Sequence, residues 1–248
     1  MISVCIATHN GEKYISEQIK SILSQLSDKD EIVISDDGST DSTLEIINSM
    51  RDKRIRVFQF VHKKKGKKPH YYVTKNFENA LRHCSGDYIF LSDQDDVWCP
   101  DKVQECLEVL GDNMAVMHNL ECVDENLIPL GKNWYNDDLK FRYHNYLMRR
   151  GKHMGCALAL RKELLDVILP FPDDLHIHDF WIGLIAESRG GLIYLDKPLI
   201  QYRIHSSNIS GNAHERNSLL FKLYYRYYTV VHYFLRLCRK LINDKIKI

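Results

Sequence analysis

The sequence predicts an α/β protein whose mostly parallel central sheet is flanked by helices and followed by a C-terminal amphipathic helical extension. Three observations lead to this fold class. Short apolar runs alternate with helical spacing over residues 2–60, the pattern of a parallel sheet with right-handed crossovers. Polar or acidic turns follow three of the apolar runs. A basic stretch with apolar residues every three or four positions ends the chain.

The composition is that of a globular protein, with 44% hydrophobic and 27% charged residues in a chain of 248. A formal net charge of +1 argues against a nucleic-acid partner. We expect neither a signal peptide nor a membrane span, because the first residues already predict a core strand and no run of about 18 apolar residues occurs. Seven scattered cysteines without a Cys-x-x-Cys pair indicate reduced thiols in the cytoplasm rather than a zinc site.

The first 110 residues predict four strands, each followed by a helix, from their apolar spacing. Asp41 or a neighbouring hydroxyl is expected to cap the second helix, and Pro100 suits the first turn of the fourth. The predicted strands are Ile2–Ala7, Glu31–Ser35, Ile55–Phe60 and Tyr88–Leu91. The predicted helices are Tyr14–Leu26, Ser42–Met50, Thr74–His83 and Pro100–Leu110.

The following hundred residues predict more strands and two short helices. The stretch from Asp124 to Tyr146 has no clear assignment, and its Trp134 and Tyr135 belong either near a ligand or in the core. The second helix is predicted to be amphipathic and to begin with an acid. The predicted strands are Ala115–Val123, Gly155–Leu160, Gly191–Leu195 and Lys197–Arg203, and the predicted helices are Lys162–Ile168 and His178–Glu187.

Two segments are basic. Residues 62–68 are expected to form either a solvated, mobile loop or a loop whose positive charge attracts a diphosphate or an anionic membrane surface. From Glu215 onward the sequence contains eight Lys or Arg residues and only two acids, and its apolar residues recur with helical spacing. That amphipathic helix packs on its own domain, on a partner helix or on a membrane surface.

Three carboxylates crowd the turn after the fourth strand, at Asp93, Asp95 and Asp96. Close carboxylates repel each other, and a divalent cation that prefers oxygen ligands usually compensates their charge. The alternative is a solvated acidic turn that leads into a helix. Residues 8–10 and Asp36-Asp37 follow two other strands. In an open α/β sheet these turns share the edge where ligands bind, so they predict one site.

Five segments of the sequence are distinctive in combination, and they are Val4–Tyr14, Val33–Asp41, Gly86–Trp98, His178–Trp181 and Tyr202–Gly211. With these segments, the chain resembles the family 2 inverting glycosyltransferases of the GT-A (Rossmann-like) fold. Five segments match the family in its order across about residues 2 to 211, and the forms of the last three are similar to its rhamnosyltransferase-like branch, which builds bacterial cell-surface polysaccharides. The resemblance implies a GT-A domain at residues 1–211, divided into a nucleotide-binding half (1–110) and an acceptor half (111–211), and a basic helical tail at 212–248.

The resemblance also implies roles for the nucleotide-binding residues. Asp36 corresponds to the acid that reads the base, and a carboxylate can accept the imide N–H of uracil or thymine; Asp37 then braces the turn. Thr8 is similar to the family's base and ribose contact, with Glu12 close by. Asp93 matches the first acid of the Asp-x-Asp motif, near the ribose or a metal-bound water.

The remaining roles concern metal and catalysis. Asp95 matches the direct ligand of Mg²⁺ or Mn²⁺, and Asp96 either assists or caps the next helix. His205 is either a further ligand to the cation or diphosphate, or structural. Asp179 matches the catalytic base, the alternative being an acid favoured by a helix N-terminus. The preceding His178 departs from the usual family form, and its role stays open.

The implied function is metal-dependent, inverting transfer of a sugar from a pyrimidine nucleotide-sugar, either dTDP-rhamnose or a UDP-hexose. The implied acceptor is a glycan or lipid-linked glycan at the cytoplasmic membrane face, where the basic C-terminal helix would hold the enzyme. Two rivals are a sugar-nucleotide pyrophosphorylase, which needs a Gly-rich basic loop after the first strand, and a non-catalytic glycan-binding or scaffolding module on the same fold. Trp98 and Trp181 are expected either to stack on a sugar or to lie in the core.

Overall fold

The computed structural model of the chain describes residues 1–61, 65–135, 153–206, 208 and 218–246. These residues form one nine-stranded sheet flanked by helices, the predicted fold class. The strands are β1 (Ile2–Thr8), β2 (Glu31–Asp36), β3 (Ile55–Gln59), β4 (Tyr88–Ser92), β5 (Val97–Trp98), β6 (Ala115–Val123), β7 (Pro129–Asn133), β8 (Leu158–Arg161) and β9 (Leu192–Arg203). The α-helices are α1 (Ile15–Leu23), α2 (Thr43–Ser49), α3 (Pro69–His83), α4 (Lys102–Leu110), α5 (Leu165–Ile168), α6 (His178–Ser188) and α7 (Leu219–Ile246).

The first four strands confirm the predicted parallel sheet. They lie in the order β3-β2-β1-β4, and every pair among them is parallel. All six residues of β2 are buried, because helices cover both faces of a parallel sheet and leave no polar face for alternation. In the β1–β2 register Thr8 lies opposite Asp36, which brings the ends of these two strands together.

The second half of the sheet is mixed, so the mostly parallel pattern stops after β4. The order continues β8-β6-β9-β5, with β8 antiparallel to both β4 and β6 and with β6 parallel to β9. Strand β7 pairs with β6 outside this path. Strand direction depends on how a distant segment enters the sheet, and local apolar spacing carries no record of it.

Several elements differ from their predicted form. The two predicted strands from residue 191 onward are one strand, β9, whose register against β6 shifts at Pro198, where a proline is tolerated. Gly155–Ala157 is a 3-10 turn before β8 rather than part of the strand. The prediction of an amphipathic helix at His178 is wrong, because α6 is buried on nearly all its faces. The short strands β5 and β7 were not predicted.

The unassigned region divides between core and surface. Tyr135 lies in the core, whereas Trp134 is exposed and its ring contacts the Tyr202 ring at a centroid distance of 5.3 Å. The rest of that region, residues 136–146, lies outside the described part of the chain, as do residues 62–64 of the basic loop.

Helix α7 packs in part on its own domain. Tyr233 is buried, and the Arg236 guanidinium donates to the carbonyls of Val167 (2.7 Å) and Leu169 (2.9 Å). The opposite side of the helix keeps large apolar residues exposed, including Leu220, Tyr227 and Phe234 among others. In the part of the chain that the structure describes, no helix combines the length and the apolarity needed to cross a membrane.

Candidate active site

A cavity of about 540 Å³ lies at the edge of the sheet where the parallel strands end. The ends of β1 and β4, the starts of α3 and α6, and one turn of α7 contribute to its wall. Five of the seven predicted site residues line it, and they are Thr8, Asp93, Asp95, Asp179 and His205. The structure thus brings together residues up to 197 positions apart in the sequence.

The other two predicted residues, Glu12 and Asp36, lie outside the cavity wall. The Asp36 carboxylate accepts hydrogen bonds from the Thr8 hydroxyl (3.1 Å), the Ser39 amide (3.0 Å) and the Ser39 hydroxyl (2.5 Å). Its neighbour Asp37 does line the cavity. The Asp36 carboxylate therefore braces this turn together with Asp37, whose backbone amide donates to the Thr8 carbonyl at 2.9 Å.

Glu12 acts on the neighbouring helix. Its carboxylate accepts the Ser42 amide at 2.9 Å, while its own amide donates to Asp41 at 3.1 Å. The Asp41 carboxylate also accepts the Thr43 amide at 3.0 Å. Both acids therefore accept amides at the start of α2, although the N-cap residue is Ser42 rather than the predicted Asp41 and makes no side-chain cap hydrogen bond.

Asp95 faces His205 across the cavity wall, with 2.9 Å between the carboxylate Oδ2 and the imidazole Nε2. Asn208 fixes the histidine's loop, because its side chain accepts the His205 amide (2.5 Å) and donates to the Arg203 carbonyl (3.1 Å). The Tyr14 ring lies 4.9 Å from the imidazole, centroid to centroid. These contacts hold the loop that carries His205 against the acidic turn that carries Asp95.

Arg203 holds the acidic turn and was not singled out from the sequence. Its backbone amide donates to Asp96 Oδ1 (3.0 Å), and its Nε donates to the Asp95 carbonyl (2.8 Å). Its Nη2 pairs with Glu17 at 2.6 Å, and the side chain is buried. An arginine two residues before His205 was the available signal, but only the tertiary structure shows that its donors point at the turn.

A second cluster extends inward from the cavity wall at Asp93, where ligand atoms of Asp93 and of the buried Asp96 and Cys156 all fall within 4.8 Å of one another. Burial, followed by the charges of Asp95 and Asp179, raises the pKa of Asp93 to about 7. Burial also raises the pKa of the Cys156 thiol well above its ordinary value. A protonated thiol is a poor ligand for Mg²⁺ or Mn²⁺, which prefer oxygen donors.

The donor set on the cavity wall fits a hard cation better than this buried cluster does. Asp93, Asp95 and His205 supply carboxylate oxygens and an imidazole nitrogen and all face the cavity. Asp96 and Cys156 do not contribute to the wall. A cation at the cavity would also relieve the repulsion that raises the pKa of Asp93.

A buried lysine, Lys102, lies beneath the acidic turn and was also missed. Its ammonium donates to the Cys156 carbonyl (2.8 Å) and sits 4.0 Å from the Trp98 ring centroid. Burial lowers the pKa of Lys102 to about 8, and its charge offsets a small part of the rise that burial produces in the pKa values of Asp93 and Asp96. Trp98 and Trp181 are both core residues, which excludes sugar stacking on either ring in this structure.

Asp179 stands half-buried in the first turn of α6. Its Oδ1 accepts the Phe180 amide at 2.7 Å. Burial raises the pKa of Asp179 to about 6, more than this amide and the charge of His153 lower it. The carboxyl group therefore combines access to the cavity with a proton affinity close to neutral pH, which general-base chemistry requires.

His178 packs behind Asp179. Its ring stacks on Phe77 at a centroid distance of 4.3 Å, and burial lowers the pKa of His178 to about 3, so it stays neutral. A Cβ at position 155 would lie 2.8 Å from its Nε2, so only glycine allows this approach. Gly155 and His178 together fix the start of α6 against the 3-10 turn before β8.

Comparison with known sequences identifies relatives. The family model described as Glycosyl transferase family 2 matches residues 3–169. The dTDP-rhamnosyl transferase RfbG of Shigella flexneri is 31% identical over 223 residues, which cover 83% of this chain and 73% of the relative. The UDP-Glc:alpha-D-GlcNAc-diphosphoundecaprenol beta-1,3-glucosyltransferase WfgD of Escherichia coli is 26% identical over 216 residues, covering 86% of this chain and 80% of WfgD.

Solved structures share the fold at lower identity. TarS 1–349 of S. aureus, in complex with UDP-GlcNAc, superposes with a TM-score of 0.66 and 21% identity, covering 86% of this chain and 61% of that one. The mannosyltransferase PcManGT from Pyrobaculum calidifontis, in complex with GDP-Man and Mn²⁺, gives a TM-score of 0.59 and 22% identity, with coverages of 84% and 58%. The chain thus spans about three fifths of the length of these solved chains. With a family match across most of the sheet and a relative 31% identical over most of both sequences, this chain belongs to glycosyl transferase family 2.

Proposed function

We propose that the chain is a metal-dependent, inverting glycosyltransferase that moves a sugar from a pyrimidine nucleotide-sugar to a glycan acceptor in cell-surface polysaccharide synthesis. One observation carries the proposal. A single cavity is lined both by the Asp95–His205 pair and by the half-buried carboxyl group of Asp179. Such a site can bind a cation and a diphosphate beside a base, and the family membership supports this chemistry.

The donor in this proposal is dTDP-rhamnose or a UDP-hexose. RfbG is named a dTDP-rhamnosyl transferase and WfgD uses UDP-Glc by its name, which supports a pyrimidine carrier. The polar wall at Thr8, Asn10 and Asp37 suits the base and ribose. In this assignment Asp36 acts from behind the wall, because it orients the Thr8 hydroxyl and the Ser39 turn.

Asp93, Asp95 and His205 would hold the divalent cation, Mg²⁺ or Mn²⁺. When bound, the cation supplies positive charge that stabilises the departing nucleoside diphosphate. Arg203 holds the acidic turn in position for this role, through its hydrogen bonds to the Asp95 carbonyl and to the Asp96 carboxylate.

Asp179 serves as the base. Its carboxylate takes the proton of an acceptor hydroxyl while that oxygen forms a bond to the anomeric carbon. The bond between that carbon and the diphosphate oxygen breaks, and its electron pair leaves with the nucleoside diphosphate. Because the two oxygens occupy opposite faces of the sugar, the anomeric configuration inverts. The raised pKa of Asp179, about 6, places its proton affinity in a useful range.

The acceptor in this proposal is lipid-linked at the cytoplasmic face of the membrane. The name of WfgD contains a diphosphoundecaprenol acceptor, which supports that class. Helix α7 combines exposed apolar side chains with basic residues, a combination that would bind anionic lipid. We expect the protein to sediment with anionic vesicles but not with neutral vesicles. Recovery of the protein in the supernatant with both kinds of vesicle would reject the membrane contact.

A thermal-shift screen tests the proposed function. We expect UDP, dTDP or their sugars to raise the melting temperature, and Mn²⁺ to enlarge that rise, because a ligand that binds only the native state stabilises it. GDP-mannose is the matched control. Equal stabilisation by the purine donor would remove the pyrimidine assignment, and binding without any donor turnover would favour the non-catalytic glycan-binding module.

A further inference from the structure

We propose that Arg226, on helix α7, binds a phosphate group carried by the glycosyl acceptor. The inference rests on the proposed function, because it concerns the second substrate of that reaction. It adds a site for an anionic part of the acceptor, built by the C-terminal helix rather than by the strand ends.

The first observation is the position of Arg226. Its half-buried side chain lines the same cavity as Asp179, about 47 positions further along the chain. Among the residues that the structure describes, none hydrogen-bonds or ion-pairs with its guanidinium, whereas the partly buried Arg54 and the buried Arg203 pair with carboxylates. A half-buried guanidinium gains free energy from an anion, and its planar donors match phosphate oxygens in pairs.

The acid that α7 does contact is already occupied. The Asp174 carboxylate accepts from Lys67 Nζ at 2.6 Å and from the Tyr224 hydroxyl at 2.8 Å. The Lys67 ammonium therefore neutralises this acid and the Tyr224 hydroxyl donates a further hydrogen bond to it, so Asp174 does not compensate the charge of Arg226.

The surroundings are electropositive as well. Helix α3 begins at Pro69 and presents its N-terminal turn to the cavity through His70. A helix N-terminus favours negative charge. The Lys68 ammonium lies next to this turn, 4.4 Å from the Phe221 ring centroid of α7. The first turn of α3 and Arg226 of α7 thus both contribute to the cavity wall, and Lys68, which contacts α7 at Phe221, adds positive charge beside that turn.

Contacts along the chain place this side with the acceptor. Phe221 of α7 packs on His176, at a centroid distance of 5.0 Å, and His176 lies three residues before the proposed base. The nucleotide wall belongs instead to the end of β1, around Thr8 and Asn10. A hydroxyl that reaches Asp179 therefore brings the rest of its acceptor against the segment that α7 covers.

The test uses soluble fragments of such an acceptor. A set of hexose 1-phosphates and the matching methyl hexosides is titrated by calorimetry into the full chain saturated with UDP and Mn²⁺, so that the donor diphosphate site is filled. We expect the wild-type protein to bind at least one 1-phosphate more tightly than its methyl glycoside. Arg226→Gln should lose that advantage, roughly tenfold to a hundredfold in affinity, while Arg226→Lys should keep part of it.

Lys222→Gln is the matched control, since it removes an exposed charge one turn earlier on the same helix. It should leave the 1-phosphate affinity unchanged, and UDP affinity should be unchanged in every variant. Equal phosphate binding by Arg226→Gln and wild type, no phosphate preference in wild type, or weaker UDP binding in Arg226→Gln would each overturn the inference. Failure of UDP to bind the wild-type chain would instead reject the proposed function on which the inference rests.

Discussion

Two acids at the edge of the sheet, Asp36 and Asp179, meet opposite surroundings. The Asp36 carboxylate accepts three hydrogen bonds at the end of β2 and is closed off from the cavity. Asp179 opens α6 on the cavity wall, where burial outweighs its hydrogen bonds and raises its pKa to about 6. The difference teaches that hydrogen-bond donors hold one aspartate in its turn, whereas burial raises the proton affinity of the other, which is the property that the proposed base needs.

The largest effect is expected from Asp179→Asn. The amide keeps the shape and accepts the Phe180 N–H, but it cannot take a proton, so turnover should fall about 10²- to 10⁴-fold. Release of the nucleoside diphosphate measures turnover, and calorimetry should show nucleotide binding nearly unchanged. Asp166→Asn is the control, because Asp166 is the exposed residue of the otherwise buried helix α5. A variant at position 179 that keeps most of its turnover would remove Asp179 as the base.

Asp95→Ala tests the other wall of the cavity. Loss of a direct cation ligand should weaken Mn²⁺-dependent UDP binding at least about tenfold, because changes in residues that only support the ligands already cost that much affinity. Calorimetry of UDP with and without Mn²⁺ measures it, and Asp101→Ala, beyond the acidic turn, is the control. If the Mn²⁺ dependence of UDP binding survives in Asp95→Ala, this residue does not hold the cation.

The pH profile sharpens the assignment of Asp179. Its pKa is raised from the ordinary 3.8 to about 6, and only the deprotonated form can accept a proton. The transfer rate should therefore be full above pH 6 and should fall about tenfold per pH unit below it. Rates at saturating donor and Mn²⁺ give the profile, with UDP binding measured at each pH as control. An acid limb centred near pH 4 contradicts the prediction.

Asp36→Ala should reveal the structural acid. It leaves the Ser39 amide and two hydroxyls without their acceptor, at a cost of about 1–3 kcal/mol in the free energy of unfolding. Asp36→Asn should cost less, because the hydroxyls of Thr8 and Ser39 can rotate to accept its amide. Asp179→Ala should cost less than Asp36→Ala, since it removes a carboxyl group that burial disfavours as an anion. Urea denaturation compares them, and a reversed order would break the distinction between the two acids.

The first half of the molecule follows closely from the sequence. Its apolar runs placed β1 to β4 within one or two residues, and the turns after three of these strands lie on one edge as predicted. Periodicity succeeds there because each strand pairs in parallel with its neighbours and is buried on both faces. The strand pairing of the second half could not be predicted in this way. Strand β8 runs antiparallel to β4, and the apolar spacing within a strand does not depend on its direction.

By itself the sequence determined the α/β alternation, the acidic turn after β4, the acid that opens α6 and the basic helix at the end. Tertiary structure alone decided that the Asp36 carboxylate braces its turn, that Arg203 holds Asp95 and Asp96, and that α7 brings Arg226 to the cavity. The physical reason is range. Spacing records the contacts of near neighbours, whereas hydrogen-bond partners such as Arg203 and Asp95 stand 108 positions apart and meet only when the sheet closes around them.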